Sequence, residues 1–155
     1  MSDDDRDDLL PLAELTSDAL VFAVAVPASE VINLNDRGHW RGVHRQTVAL
    51  RQRAGLTMRL LGRPRLEAAT CEVAVFYPDQ SRRRDVHNLM GTVKPLIDGM
   101  VSAGLLPDDA DEYLTGPHLV RGVGDTPRGI IVVPRQARPF TFRFVFERRA
   151  PGVGA

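Results

Sequence analysis

The side chains best suited to chemistry are concentrated between Ser81 and Tyr113. Arg82, Arg83 and Arg84 stand directly before Asp85-Val86-His87-Asn88. Lys94 and Asp98 follow on an apolar-periodic stretch, and the segment closes on Leu106-Pro107-Asp108-Asp109-Ala110-Asp111-Glu112. The acids at the two ends are separated by a helix of about 11 residues, which spans only about 16 Å, so a strand, helix and return loop can bring Asp85 near Asp108 and Asp109. Carboxylates clustered in this way are costly unless a cation neutralises them. Mg²⁺ is the natural candidate, a hard ion commonly held by one or two carboxylates while phosphate and water complete its octahedron. Bound there, it would polarise a phosphodiester oxygen and lower the pKa of an attacking water. Lys94, the chain's single lysine, lies one helical turn before Asp98. It can pair with that acid or point at a phosphate. Both sit beside Val101 at the flank of the apolar stripe, at the edge of the core. Each piece also has a plainer reading: Asp-Asp after Pro is often only a turn, and an Arg run only a solvated loop.

Other residues with chemical potential lack a suitable setting. Cys71 is expected to be a buried strand residue rather than a nucleophile, since no His arrangement singles it out. His39 and His44 are five apart in a helical stretch and share a face poorly, which argues against zinc. Gly122-Val123-Gly124 lacks the strand–turn–helix setting of a dinucleotide loop.

The elements that must position these residues can be read from hydrophobic periodicity. Residues 1–18 read as an acidic, poorly ordered leader, residues 19–149 as one domain, and residues 150–155 as a frayed Pro/Gly tail. Leu20–Val26 is nearly all apolar and β-rich, so it predicts a strand closed by Pro27. A helix is expected from Arg37 or Gly38 to Leu61. Its apolar positions are Trp40, Val43, Ala49, Leu50, Ala54, Met58 and Leu61, and Arg41, Arg45, Arg51, Arg53 and Arg59 form a basic outer face. Ala69–Tyr77 predicts a second strand ended by Pro78. Val93, Leu96, Ile97, Met100 and Val101 give the pattern of a core-facing helix, with Thr92 as cap, Pro95 in the first turn and Gly104 as terminator. The remainder reads as β: His118–Val123, Gly129–Val133, and Phe140–Phe146, whose alternating Phe face is expected to pack in the core rather than stack on bases. The fold class is therefore α/β of the α+β type, with a mixed sheet of about four or five strands and two main helices.

Composition bounds the function. The chain has 155 residues, and 43% are hydrophobic and 26% charged, the range of ordinary globular domains. No apolar run approaches the roughly 20 residues of a membrane span. A lone cysteine and an Asp-rich beginning fit a reducing compartment and carry no export signal, so the expected location is the cytoplasm. The formal net charge is zero, with 20 bases against 20 acids. Residues 1–18 hold seven of the acids and one base, leaving 19 bases against 13 acids in the body. A cationic body rich in arginine suits a polyanion, because Arg forks onto phosphate oxygens and each neutralised phosphate releases counterions.

The order Arg-Asp-x-x-Asn at Arg84-Asp85 and Asn88, Lys94 followed by Asp98, then Gly104-Leu105-Leu106-Pro107-Asp108-Asp109, resembles the RusA family of Holliday-junction resolvases. The family pattern is Asp-x-Asp-Asn-x-x-Lys-x-x-x-Asp followed by a paired Asp-Asp. Asn35-Asp36-Arg37 with His39-Trp40-Arg41 looks like that family's Asn-containing N-terminal segment, in the form seen in actinobacterial phages. The resemblance covers roughly residues 20–135. It implies a homodimer that hydrolyses paired phosphodiesters of four-way DNA junctions in recombination and repair, in a bacterial cell or phage-infected host. Asp85 and Asp109 would be Mg²⁺ ligands, with Mn²⁺ as an alternative ion. Lys94 would be the catalytic lysine and Asp98 the acid one turn later. Arg82, Arg83, Arg84, Arg41 and Arg45 would contact the DNA backbone, with Asn35 and Asn88 beside them.

Two departures from the family stand out. His87 occupies the place of the second Asp, and Gly91-Thr92-Val93 lengthens the step from Asn88 to Lys94. His87 can complete the metal site together with Asp108, or it can hydrogen-bond Asp109 and hold it in place. Two other functions fit the same residues: a junction- or DNA-binding module that has lost catalysis, and a metal-dependent nuclease or phosphatase on other substrates. The acidic leader could fold over the basic surface as an internal DNA mimic.

Overall fold

A computed structural model describes residues 13–34, 40–79 and 85–152. Among these residues the architecture is mixed α and β: one five-stranded sheet and two long helices. The strands are β1 (Ala13–Leu15), β2 (Ala19–Val26), β3 (Ala69–Phe76), β4 (Leu114–Arg121) and β5 (Phe140–Arg148), and the helices are α1 (Trp40–Leu60) and α2 (Met90–Ser102). The sheet order is β1-β2-β5-β3-β4. Among the described strands only the β3–β4 pair is parallel. Parallel neighbours need a long crossover, and the stretch between them contains α2 and the residues singled out for chemistry.

The aromatic alternation explains why β5 is central. Phe142, Phe144 and Phe146 are fully buried on one face. They sit opposite Val24, Phe22 and Leu20 on β2, and opposite Val75, Val73 and Cys71 on β3. Phe22 stacks on Phe144 with centroids 5.5 Å apart, and Phe144 on Phe146 at 6.0 Å. The Phe face is thus core, as its period predicts. Cys71 is buried in the same layer, and burial there, with Glu72 adding to it, pushes its thiol pKa far up. It stays a neutral packing residue.

Both helices cover this face. Leu50, Ala54 and Met58 of α1 meet Val93, Leu96, Ile97 and Met100 of α2 in the common core. Gly99 lies at the crossing, where a Cβ would come within 2.6 Å of the Arg51 carbonyl oxygen and 2.8 Å of Ala54 Cβ. The helices close to this distance because position 99 has no side chain. Gly104, at φ +97°, ends α2 as expected. Its N–H bonds the Val101 carbonyl and the Leu105 N–H bonds that of Met100, a Schellman closure.

Several expectations are corrected. Residues 13–15, assigned to the leader, pair with Leu20–Phe22 as β1, so the sheet begins before Ala19; residues 1–12 lie outside the described residues. Gly129–Val133 is not a strand. β1 covers only residues 20–22 of β2, and the Ile130 N–H takes the Ala23 carbonyl just beyond it in a single bond of 3.1 Å, while Val132 stands exposed. β4 starts at Leu114 rather than His118 and runs through Gly116-Pro117. Thr92 does not cap α2, which starts at Met90 after a 3-10 turn over Val86–Leu89. Pro95 consequently falls in the second turn. Val43 is 38% exposed, so among the described side chains of α1 the buried stripe begins at Leu50; the side chain of Trp40 lies outside them. Arg53 is not on the outer face: it forks onto both Glu30 carboxylate oxygens at 2.9 and 3.0 Å.

Candidate functional site

Local chemistry fixes where the motif enters the fold. Asp85 caps the 3-10 turn: its Oδ1 accepts the His87 N–H at 3.0 Å. Val86 and Leu89 turn inward and are buried, while His87 points out. Its Nδ1 lies 3.0 Å from the same Asp85 oxygen. These two contacts with His87 hold the Asp85 carboxyl below the ordinary carboxylate range. Thr92, buried one turn into α2, accepts the Ile32 N–H and donates to the Ile32 carbonyl, both at 2.8 Å. The Leu34 N–H bonds the Asn88 carbonyl at 2.8 Å. The chain preceding α1 is therefore tied to the start of α2.

At the other end of the motif, Leu105 and Leu106 are buried and anchor the return loop, helped by the Leu66 N–H on the Leu105 carbonyl at 2.7 Å. Pro107, Asp108 and Asp109 follow at the surface. The Asp109 N–H donates to Asp108 Oδ1 at 2.7 Å.

Lys94 joins the two halves. Its ammonium donates to Asp109 across the loop and pairs with Asp98 at 3.1 Å along the helix. Arg51 of α1 then approaches Asp98 at 3.6 Å. The result is a chain of alternating charge, Arg51–Asp98–Lys94–Asp109. Lys94 holds the Asp109 carboxyl low, with the Asp108 contact adding to it. In return Asp109, and then Asp98, hold the Lys94 ammonium pKa up against partial burial. Lys94 is 49% exposed and Asp109 39%, and pairs this open contribute only about 0–1 kcal/mol each. An incoming phosphate can therefore compete for Lys94 at small cost.

The structure unites Lys94, Asp98 and Asp109 and keeps Asp85 with His87. It does not bring the proposed metal ligands Asp85, His87, Asp108 and Asp109 together as one centre. Among the described residues no three His, Cys, Asp or Glu side chains form a group able to hold a metal ion. As arranged, the donors stand apart as two pairs, Asp109 engaged by Lys94 and Asp85 by His87. Of the two expectations for His87, the hydrogen bond to Asp109 is corrected, since the bond goes to Asp85. Of the DNA-contact residues, Arg41 and Arg45 lie on exposed positions of α1 and Asn88 is half-buried in the 3-10 turn. Asn35, Arg82, Arg83 and Arg84 lie outside the described residues. Sequence periodicity places Arg51 only on a basic face; its approach to Asp98 depends on the α1–α2 crossing and has no local sequence signal.

No protein-family model and no curated protein matches this chain. No helix among the described residues is long and apolar enough to cross a membrane.

Proposed function

We propose that this protein is a structure-selective endodeoxyribonuclease of the RusA kind, acting on four-way DNA junctions in recombination and repair. The observation that carries the reading is Lys94 held between Asp98 and Asp109, three residues of the family-like order meeting at one exposed place. The reaction would be hydrolysis, in which water attacks phosphorus and one ester oxygen leaves. Lys94 would exchange a carboxylate for a non-bridging phosphate oxygen and stabilise the charge that develops there. The cationic body would hold the backbone through contacts that carry no sequence information. A homodimer would match the two-fold symmetry of the junction and cut its strands in pairs. Such an enzyme would work in the cytoplasm of a bacterial cell or infected host.

A second reading is a junction-binding module without catalysis. The separation of the Asp85–His87 pair from Asp109 favours it, because no donor set is gathered among the described residues.

The test is cleavage of a labelled four-way junction beside a linear duplex of the same sequence, in EDTA, Mg²⁺ and Mn²⁺, with Asp109→Asn as control. Paired symmetric nicks on the junction alone, lost in the variant, are expected. Binding without cleavage in either metal, and no gain on His87→Asp, would establish the second reading. Comparable cutting of linear duplex or a simple phosphate ester would replace both with a nuclease or phosphatase of other specificity. Sedimentation of the free protein reads the dimer directly.

A further inference from the structure

We infer that the seam between α1 and α2 is a second nucleic-acid contact, a trough that carries the phosphate backbone away from the Lys94 site. This deepens the nucleic-acid part of the proposed function and rests on it. The seam forms an open groove of about 420 Å³ lined by Arg51, Arg59 and Arg63, with Gly55, Gly99 and Ser102 among its other walls. No acidic side chain lines it. Arg51 pairs with Asp98 at the end nearest Lys94. Arg59 and Arg63 are exposed, and neither has an ion-pair partner among the described residues.

The spacing fits a strand backbone. Positions 51, 55 and 59 recur every four residues and so share one helix face. From Arg51 to Arg59 the helix rises about 12 Å, the rise of three to four nucleotides of one B-form strand at about 3.4 Å each. Glycine at 55 leaves the middle of that row without a side chain, and glycine at 99 lets α2 form the opposite wall. A groove open along its length and lined by guanidinium forks suits a continuous polyanion. Small ligands favour pockets that enclose most of their surface. Because Arg51 belongs to both the groove and the Arg51–Asp98–Lys94–Asp109 chain, a strand whose phosphate lies at Lys94 can continue along the seam.

The test is fluorescence anisotropy of labelled four-way junction and linear duplex in EDTA, titrated with salt and, separately, with inorganic tripolyphosphate as competitor. The variants are Arg59→Ala/Arg63→Ala and Gly55→Glu, with Gly55→Ala as control. A Cβ at position 55 meets nothing within 4 Å, so Gly55→Glu starts its side chain into open space and adds a negative charge to the groove even if the double variant were unstable. Both variants are expected to weaken DNA binding about tenfold, and the double variant to make the salt slope shallower by about 1.8, the share of two phosphate contacts. Gly55→Ala should bind as the wild type does. Unchanged affinity and slope in folded variants would overturn the inference. So would a wild type that binds tripolyphosphate but no DNA. Loss of binding in the groove variants with no cleavage in any metal would keep the groove and sink the nuclease reading. Junction cleavage with unaltered binding in those variants would do the reverse.

Discussion

Lys94 makes the ion pair that joins the return loop to α2 and a second one along the helix with Asp98, and its worth should be kinetic rather than structural. Under the proposed function, replacing it by Met would remove one donor aimed at developing charge, which in comparable sites costs about 10²–10³ in rate. The two exposed pairs contribute about 0–1 kcal/mol each to stability. Lys94→Met should therefore lower junction cleavage in single turnover by about that factor while urea denaturation moves little; equal loss of stability and rate would contradict the role. The same pair predicts a pH signature. Asp109 is held below its ordinary 3.8 in the folded chain, so its contribution is complete above that value and is lost as pH falls through the depressed folded pKa. Lys94 is held above 10.5, so its contribution is present below 10.5 and is lost as pH rises through the raised folded value. The stability gap between wild type and Asp109→Asn should accordingly persist at neutral pH and shrink below pH 3.8, measured by urea denaturation across the acid range.

The relation of α1 to α2 depends on two glycines with opposite roles. Gly99 is enclosed by the Arg51 backbone and Ala54, so Gly99→Ala forces the helices apart and should cost about 1–3 kcal/mol as an overpacked contact. Gly55 faces open space on an exposed helix, so Gly55→Ala should gain about 0.5–1 kcal/mol from helix propensity alone. Chemical denaturation of the two variants separates packing from propensity; shifts of the same sign would show that the crossing is looser than described. Local sequence rules located the end of α2 well, because Gly104 supplies the left-handed residue its closure needs. They misplaced its start. Thr92 is a good cap by type, yet its hydroxyl is more valuable where Ile32 presents both an N–H and a carbonyl. That partner lies 60 residues away and is invisible to any local window.

At the scale of the molecule, stability is centred on β5, whose inward phenylalanines meet β2 on one side and β3 on the other. Truncating the middle one, Phe144→Ala, removes a stacked ring from both Phe22 and Phe146. It should cost about 3–5 kcal/mol, read as a lower urea midpoint with the slope retained. A loss near 1 kcal/mol would mean that the core collapses around the vacancy. The sheet also explains where the chemistry can be. The β3–α2–β4 crossover carries Asp85 before the helix and Asp109 after it, so the fold returns the chain to the flank of α2 where Lys94 waits.

The amino-acid order by itself determined the apolar strands β2, β3 and β5, the two helices, the buried state of Cys71 and the one-turn spacing that lets Lys94 reach Asp98. All of these rest on periods of two or about 3.6 residues, which short-range sterics enforce. Only tertiary structure decided the rest. β1, at three residues, is too short to announce itself, and β4 is legible only from His118 onward because the Gly-Pro step before it reads as a break. Gly129–Val133 has strand composition but only a single carbonyl of β2 to meet. The Lys94–Asp109 bond, the separation of Asp85 from Asp109 and the arginine-lined seam each join residues from different elements. Their contacts depend on how closely two helices and a sheet can pack, a quantity that periodicity does not encode.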